Sequence, residues 1–173
     1  MLRRVAEPIK PDYPGFDEFL ESFWETMYHA DGVGLAAPQV GRSIRLFVVD
    51  TSALAKEDPS LKSFRKVFIN PEILEYAGDP WVMEEGCLSL PEIRENVSRP
   101  DSIRIRYQDE NFEPHEDTFT GYPARVIQHE YDHLQGKLFV DYLSPLKRKI
   151  LRGRLMAITK GKVTPHYQIR VPA

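Results

Sequence analysis

The chain has a single cysteine, Cys87, among its 173 residues. That excludes an internal disulfide, fits a reducing, cytoplasmic setting, and leaves one thiol free for reactivity or metal binding. No apolar run approaches the roughly 20 residues of a membrane-spanning helix. The opening Met1-Leu2-Arg3-Arg4-Val5-Ala6-Glu7 lacks the apolar stretch of a secretory signal. A net charge of -3 gives no global attraction to nucleic acid or to a membrane. Repeats, linkers and low-complexity tracts are also missing. With 42% apolar residues, the expectation is one core and one domain over residues 1–173. Acidic residues run out after Asp141, whereas Lys147, Arg148, Lys149, Arg152, Arg154, Lys160, Lys162 and Arg170 follow. A solvated helix face accounts for such a run, and docking to an acidic or RNA-rich partner is the sharper alternative.

The pattern of what is present predicts several elements. Phe16, Phe19, Leu20, Phe23, Met27 and Tyr28 recur at helical spacing, with Pro14 near the start and Gly32 at the end, so residues 14–31 read as an amphipathic helix. A glycine-bounded loop follows over residues 32–41. Residues 44–50 and 67–70 read as strands, with a polar surface excursion over 53–63 between them. Ile103, Ile105 and Tyr107 alternate with charged residues, the period of a half-buried strand, and residues 112–120 should pair with it across a turn at 109–111. A second helix runs from Gly121 to Gly136, and a third from Ser144-Pro145 to Gly161. Strands first and helices after them read as α+β in one domain.

His129-Glu130-Tyr131-Asp132-His133 falls on the second helix. Histidines four apart project from the same face, one turn apart, so two neutral nitrogens can grip one divalent cation. Glu130 beside them suits a base for the water such a metal activates. A catalytic site of this kind needs a third protein ligand and one open position. The usual downstream donors are missing. A histidine six residues beyond His133 would mark one protease class, but Phe139 stands there, and no carboxylate follows Asp141. His166 remains downstream and Cys87 upstream. A lone cysteine is commonly just a small buried apolar side chain, yet an unfilled ligand slot favours Cys87 as the third donor. Asp132 projects about 100° from each flanking neighbour. It is expected to form a buried ion pair with Arg99 and not to reach the metal.

Three blocks together, Gly32-Val33-Gly34-Leu35-Ala36-Ala37-Pro38-Gln39, Glu85-Gly86-Cys87-Leu88-Ser89 and His129-Glu130-Tyr131-Asp132-His133, resemble the signature motifs of the peptide deformylases in order and separation. The similarity runs over nearly the whole chain. It implies antiparallel β-sheets packed around a central motif-bearing helix, with helices at both ends. It also implies removal of the formyl group from N-formylmethionine at the start of new bacterial polypeptides. Carried over by position, Cys87, His129 and His133 would hold the metal, with Glu130 as general base and then acid. The Gln39 side chain and the Leu88 backbone N–H would stabilise the oxyanion. Val33, Met83, Tyr122 and Val126 would lie near the methionine pocket, with Arg94 at its rim. Gly34 would let substrate backbone come close, whereas Leu35, Ala36 and Ala37 would pack.

The His₂Cys set suits zinc, iron, cobalt or nickel, and the resemblance favours Fe(II) in the cell, with Zn(II), Ni(II) or Co(II) as occupants of a purified sample. A cytoplasmic monomer acting on formylated nascent chains is expected, with the basic third helix as a candidate ribosome contact. Family members usually begin with a short extended segment before Leu2, so either the start is truncated or this member does without it. Pro38 should stiffen the loop before Gln39. Two rival readings are a zinc peptidase, disfavoured by its missing downstream ligands, and a non-catalytic metal module whose fourth ligand would be His166.

Overall fold

The computed structural model describes residues 2–55, 59–61 and 64–169. The first helix, α1 (Phe16–His29), begins after Gly15, whose positive φ of 67° turns the chain out of Pro14. Asp17 and Glu18 in its first turn complement the helix dipole. It is shorter at both ends than the pattern suggested, because Gly15 and Asp31 (φ 53°) are left-handed turn residues.

Five strands follow the chain in space, β1 (Gly34–Ala36), β2 (Leu46–Asp50), β3 (Arg65–Cys87), β4 (Leu90–Gln108) and β5 (Pro114–Thr120), every neighbouring pair antiparallel. The expected α+β arrangement holds, although the strands form one hydrogen-bonded ladder instead of separate sheets. Residues 67–70 and 102–107 prove to be parts of two much longer strands, β3 and β4. Their remaining length hides from pattern reading because Pro71, Gly78, Pro80, Gly86, Pro91 and Pro100 interrupt the alternation. The ladder absorbs these residues with register shifts, one of them at Ala77/Pro80, and such bulges bend the strands. The turn into β5 forms as expected: Gln108 faces Pro114, and Asp109 accepts from the backbone of Asn111 and Glu113. Of the excursion at 53–63, residues 56–58, 62 and 63 lie outside the described residues, as does Arg170. The rest carries short 3₁₀ turns at Ser52–Leu54 and Pro59–Leu61.

Both faces of β2 are buried, and its period-two alternation divides the core. Phe47 and Val49 join Phe68, Ile103 and Ile105 against Ala124, Ile127 and Leu134 of α2 (Gly121–Leu134). Leu46 and Val48 join Val67 and Ile69 against Phe16, Phe23, Trp24 and Met27 of α1. The motif helix α2 thus sits against the inner face of the sheet. A third cluster, Leu90, Ile93 and Val97 with Leu138, Phe139 and Val140, reaches Leu151 of α3 (Pro145–Thr159). The Ser144 hydroxyl caps α3 by accepting from Lys147 N, with Pro145 in its first turn. No helix among the described residues is long and apolar enough to cross a membrane.

Candidate metal centre

Two elements meet at the site. α2 delivers His129, Glu130 and His133 from its buried face, and β3 ends in Cys87 at the Leu88-Ser89 turn into β4. One donor atom each from Cys87, His129 and His133 lies within 4.8 Å of the others. Cys87 Sγ is 3.4 Å from His133 Nε2. His129 Nδ1 is held 3.0 Å from Glu85 Oε2, which fixes the ring and leaves Nε2 for the centre. A thiol and two imidazoles converging at this spacing fit a divalent metal, and three protein donors leave a position open for reaction. His166, the alternative ligand, is not in this group; its Nε2 lies 3.2 Å from Asp31.

Glu130 is 4% exposed, and its Oε2 has no hydrogen-bond partner among the described residues. Burial pushes its carboxyl up to about 7. Space for it depends on Gly34, where an added Cβ would stand 2.6 Å from Glu130 Oε1 and 2.9 Å from the Val126 side chain. The two histidines are driven apart. Burial opposes charge on both, but contact with Cys87 and Glu85 raises His129 well above the ordinary imidazole range. His133 falls well below that range, from burial first and the neighbouring His129 second.

Gln39 sits in the short 3₁₀ helix Ala37–Val40, with Pro38 in its first turn. Its Oε1 accepts from Ala36 N at 2.7 Å. That orients Nε2 toward Ser89 Oγ at 3.2 Å and Cys87 Sγ at 3.7 Å. Leu88 lies at the hairpin tip, its side chain packed over Gly32. A cleft of about 570 Å³ joins these groups. Its walls include every pocket residue expected from the sequence, Val33, Gly34, Met83, Arg94, Tyr122 and Val126, beside Cys87, His129 and Glu130. Arg94 is exposed at the rim, 3.8 Å from Glu84. Leu35, Ala36 and Ala37 are buried packing residues.

Behind the ligands lies a buried charge network. The expected pair is present, with Arg99 Nη1 donating to Asp132 Oδ2 at 2.8 Å. Its larger partner escaped the sequence reading. Glu85, 6% exposed, accepts from Arg99 Nε at 2.7 Å and Nη2 at 3.1 Å, from Arg125 Nη1 at 2.8 Å, and faces His129. Tyr142 donates to the other Asp132 oxygen. Burial alone would raise the Glu85 carboxyl, but His129 and Arg99 more than offset it and hold Glu85 well below the usual carboxylate range. Glu85 lies two residues before Cys87 on β3, but the sequence pattern does not reveal that part of the strand, so strand parity could not be used to place it. Thr164, Pro165, His166 and Tyr167 also line the cleft; of these only His166 was given a role in the sequence, as an alternative ligand.

A buried carboxylate beside a Cys/His/His donor set, on a motif helix at the foot of an open cleft, defines a metal-dependent hydrolase. Residues 1–149 match the model of the polypeptide deformylases. The peptide deformylase of Christiangramia forsetii is 48% identical over 99% of this chain and 91% of its own length. Among solved structures, a peptide deformylase from Legionella pneumophila superposes with a TM-score of 0.79 at 40% identity, covering 93% of this chain and 90% of its own. That of Thermotoga maritima gives 0.73 at 45% identity, covering 83% and 91%. The chain belongs to the polypeptide deformylase family.

Proposed function

We propose that the cleft receives the N-terminal formylmethionine of a newly made polypeptide and that its formyl group leaves as formate by hydrolysis. The observation that carries this reading is the buried Glu130 carboxylate next to the Cys87, His129 and His133 donors. A divalent ion on those donors would supply Lewis acidity, acidifying water toward neutral pH and polarising the formyl oxygen. Glu130 takes the proton of the attacking water and returns it to the departing amine nitrogen, one group serving both directions. Burial pushes this carboxyl up to about 7, and a dication on the neighbouring donors would draw it back toward the ionised form that accepts a proton near neutrality. As the formyl carbon becomes tetrahedral its oxygen gathers charge, and we assign Gln39 Nε2 and the Leu88 N–H as its donors. Loss of one such donor typically costs about 3 kcal/mol of barrier. Collapse breaks the C–N bond, giving formate and a free amino terminus.

For the methionine side chain the reading uses Val33, Met83, Tyr122 and Val126. Gly34 lets substrate backbone approach, and Arg94 meets the chain at the rim. Thiolate and imidazole donors suit Fe(II), Zn(II), Ni(II) or Co(II) alike, and the resemblance to the deformylases favours Fe(II) in the cell. The working setting is the cytoplasm and the working form a monomer. The deciding assay is formate release from formyl-Met-Ala. Activity should vanish on chelation and return with added Fe(II), Co(II), Ni(II) or Zn(II). Cleavage of an unformylated internal peptide bond without formate would make the chain a peptidase instead.

The exposed basic side chains of α3 support a contact with ribosomal RNA near the emerging substrate. Sedimentation with ribosomes should weaken steeply between low and physiological salt. Salt-insensitive binding, or none, would remove this part of the reading.

A further inference from the structure

Beyond α3 the chain turns back, and residues 164–167 line the same cleft as Cys87 and Glu130. Two contacts tie this segment to opposite sides of the cleft. The Tyr167 hydroxyl donates to the Leu88 carbonyl at 2.8 Å, and His166 Nε2 lies 3.2 Å from Asp31, just past α1. The two contacts differ in weight. The His166 and Asp31 side chains are 64% and 85% exposed, so water screens their attraction. Tyr167 is half-buried, its ring edge-on to His166 at 5.0 Å, and burial together with nearby Cys87 raises its hydroxyl from the ordinary tyrosine value. It therefore remains a donor throughout neutral pH.

The carbonyl it grips belongs to a two-residue turn whose other anchors are the Leu88 side chain, packed against the α1 core cluster, and the Ser89 hydroxyl. Leu88 and Ser89 alone connect β3 to β4, between the paired residues Cys87 and Leu90. Gln39 Nε2 holds the Ser89 hydroxyl from one side at 3.2 Å. Tyr167 holds the Leu88 carbonyl from the segment after α3. We infer that Tyr167 is a positioning residue for deformylation. Its hydroxyl fixes the Leu88-Ser89 turn so that the Leu88 N–H is aimed at the reacting formyl oxygen. This rests on the deformylase reading above and extends the working site into a part of the chain remote from all three motif blocks.

A donor aimed at developing charge acts on the transition state more than on substrate binding. The test is formate release from formyl-Met-Ala by metal-loaded wild type and Tyr167→Phe, with metal content and melting temperature measured on both. Phenylalanine keeps the ring and removes only the hydroxyl. One lost hydrogen bond should lower kcat roughly three- to tenfold. KM should stay within about twofold, with metal content and melting temperature unchanged. A wild-type kcat in Tyr167→Phe overturns the inference. So does a loss confined to KM, or one that follows a fall in metal or melting temperature. Tyr167→Ala should lose at least as much kcat, and a wild-type kcat there would be equally fatal. If the wild type releases no formate, the deformylase reading itself fails, and that outcome does not depend on position 167.

Discussion

Replacing Glu130 with glutamine is expected to cut kcat/KM for formate release by roughly a hundred- to ten-thousandfold while leaving the metal bound. Glutamine matches glutamate in shape, so the crowding against Gly34 and Val126 is unchanged. It cannot take a proton from water or deliver one to the amine. Stability should not fall. A carboxyl whose folded pKa is raised opposes folding at pH values above its unfolded value, and burial raises Glu130 to about 7. Removing that ionisation relieves the folded state at neutral pH, so the metal-free variant should melt at or above metal-free wild type. In the wild type, kcat/KM should rise with pH as Glu130 loses its proton. A dication beside it favours the carboxylate and moves that limb below 7. The limb should be absent from the variant's residual rate. Retained activity in Glu130→Gln would end the proposed mechanism, and loss of activity together with metal would make Glu130 a support for the ligands instead.

Glu85→Ala should damage the protein more than any single ligand replacement. It leaves Arg125 without its carboxylate, Arg99 with Asp132 alone, and His129 without the acceptor that sets its ring. Breaking a buried ion pair by removing one partner costs about 3–5 kcal/mol. Loss of a carboxylate behind a ligating histidine typically weakens metal binding by about 10- to 100-fold. Urea unfolding would read the first effect and metal titration of the chelated protein the second. The pH dependence has a definite sign. Glu85 is held well below the usual carboxylate range, so its contribution is complete above that range and is lost only as pH falls through its depressed folded value. The gap between wild type and variant should therefore be flat from pH 8 to about 6 and close only in acid. A gap below about 1 kcal/mol at neutral pH would reduce the network to an ordinary surface pairing.

Residues whose neighbours in sequence carry their meaning were readable without coordinates. His129, Glu130 and His133 share a helix face by arithmetic, and β2 announces itself as the apolar run Leu46-Phe47-Val48-Val49. Asp132 could be turned away from the metal on the same angular grounds, and Arg99 met it. What stayed hidden depends on the hairpin of β3 and β4. Prolines at 71, 80, 91 and 100 erase its period, although the bulged ladder tolerates them. With that hairpin unseen, Glu85 could not be brought beneath His129, nor Arg125 beneath Glu85. The return of residues 164–167 over the cleft left no trace either, because a short irregular segment has no periodicity to read.

The sheet's spatial order repeats its chain order, and that fixes when the metal site can come into being. Each strand finds its partner in the next stretch of chain, so the loops that close are short and cost little entropy. The donor set is different: Cys87 and His133 stand 46 positions apart, on a hairpin tip and a helix that meet only when the meander has folded over α2. On this topology the ligand triangle forms only when α2 docks on the hairpin of β3 and β4, in the same step that closes the Glu85 network. Metal would then load a finished chain, which sets this centre apart from those small zinc domains whose fold exists only once the ion arrives.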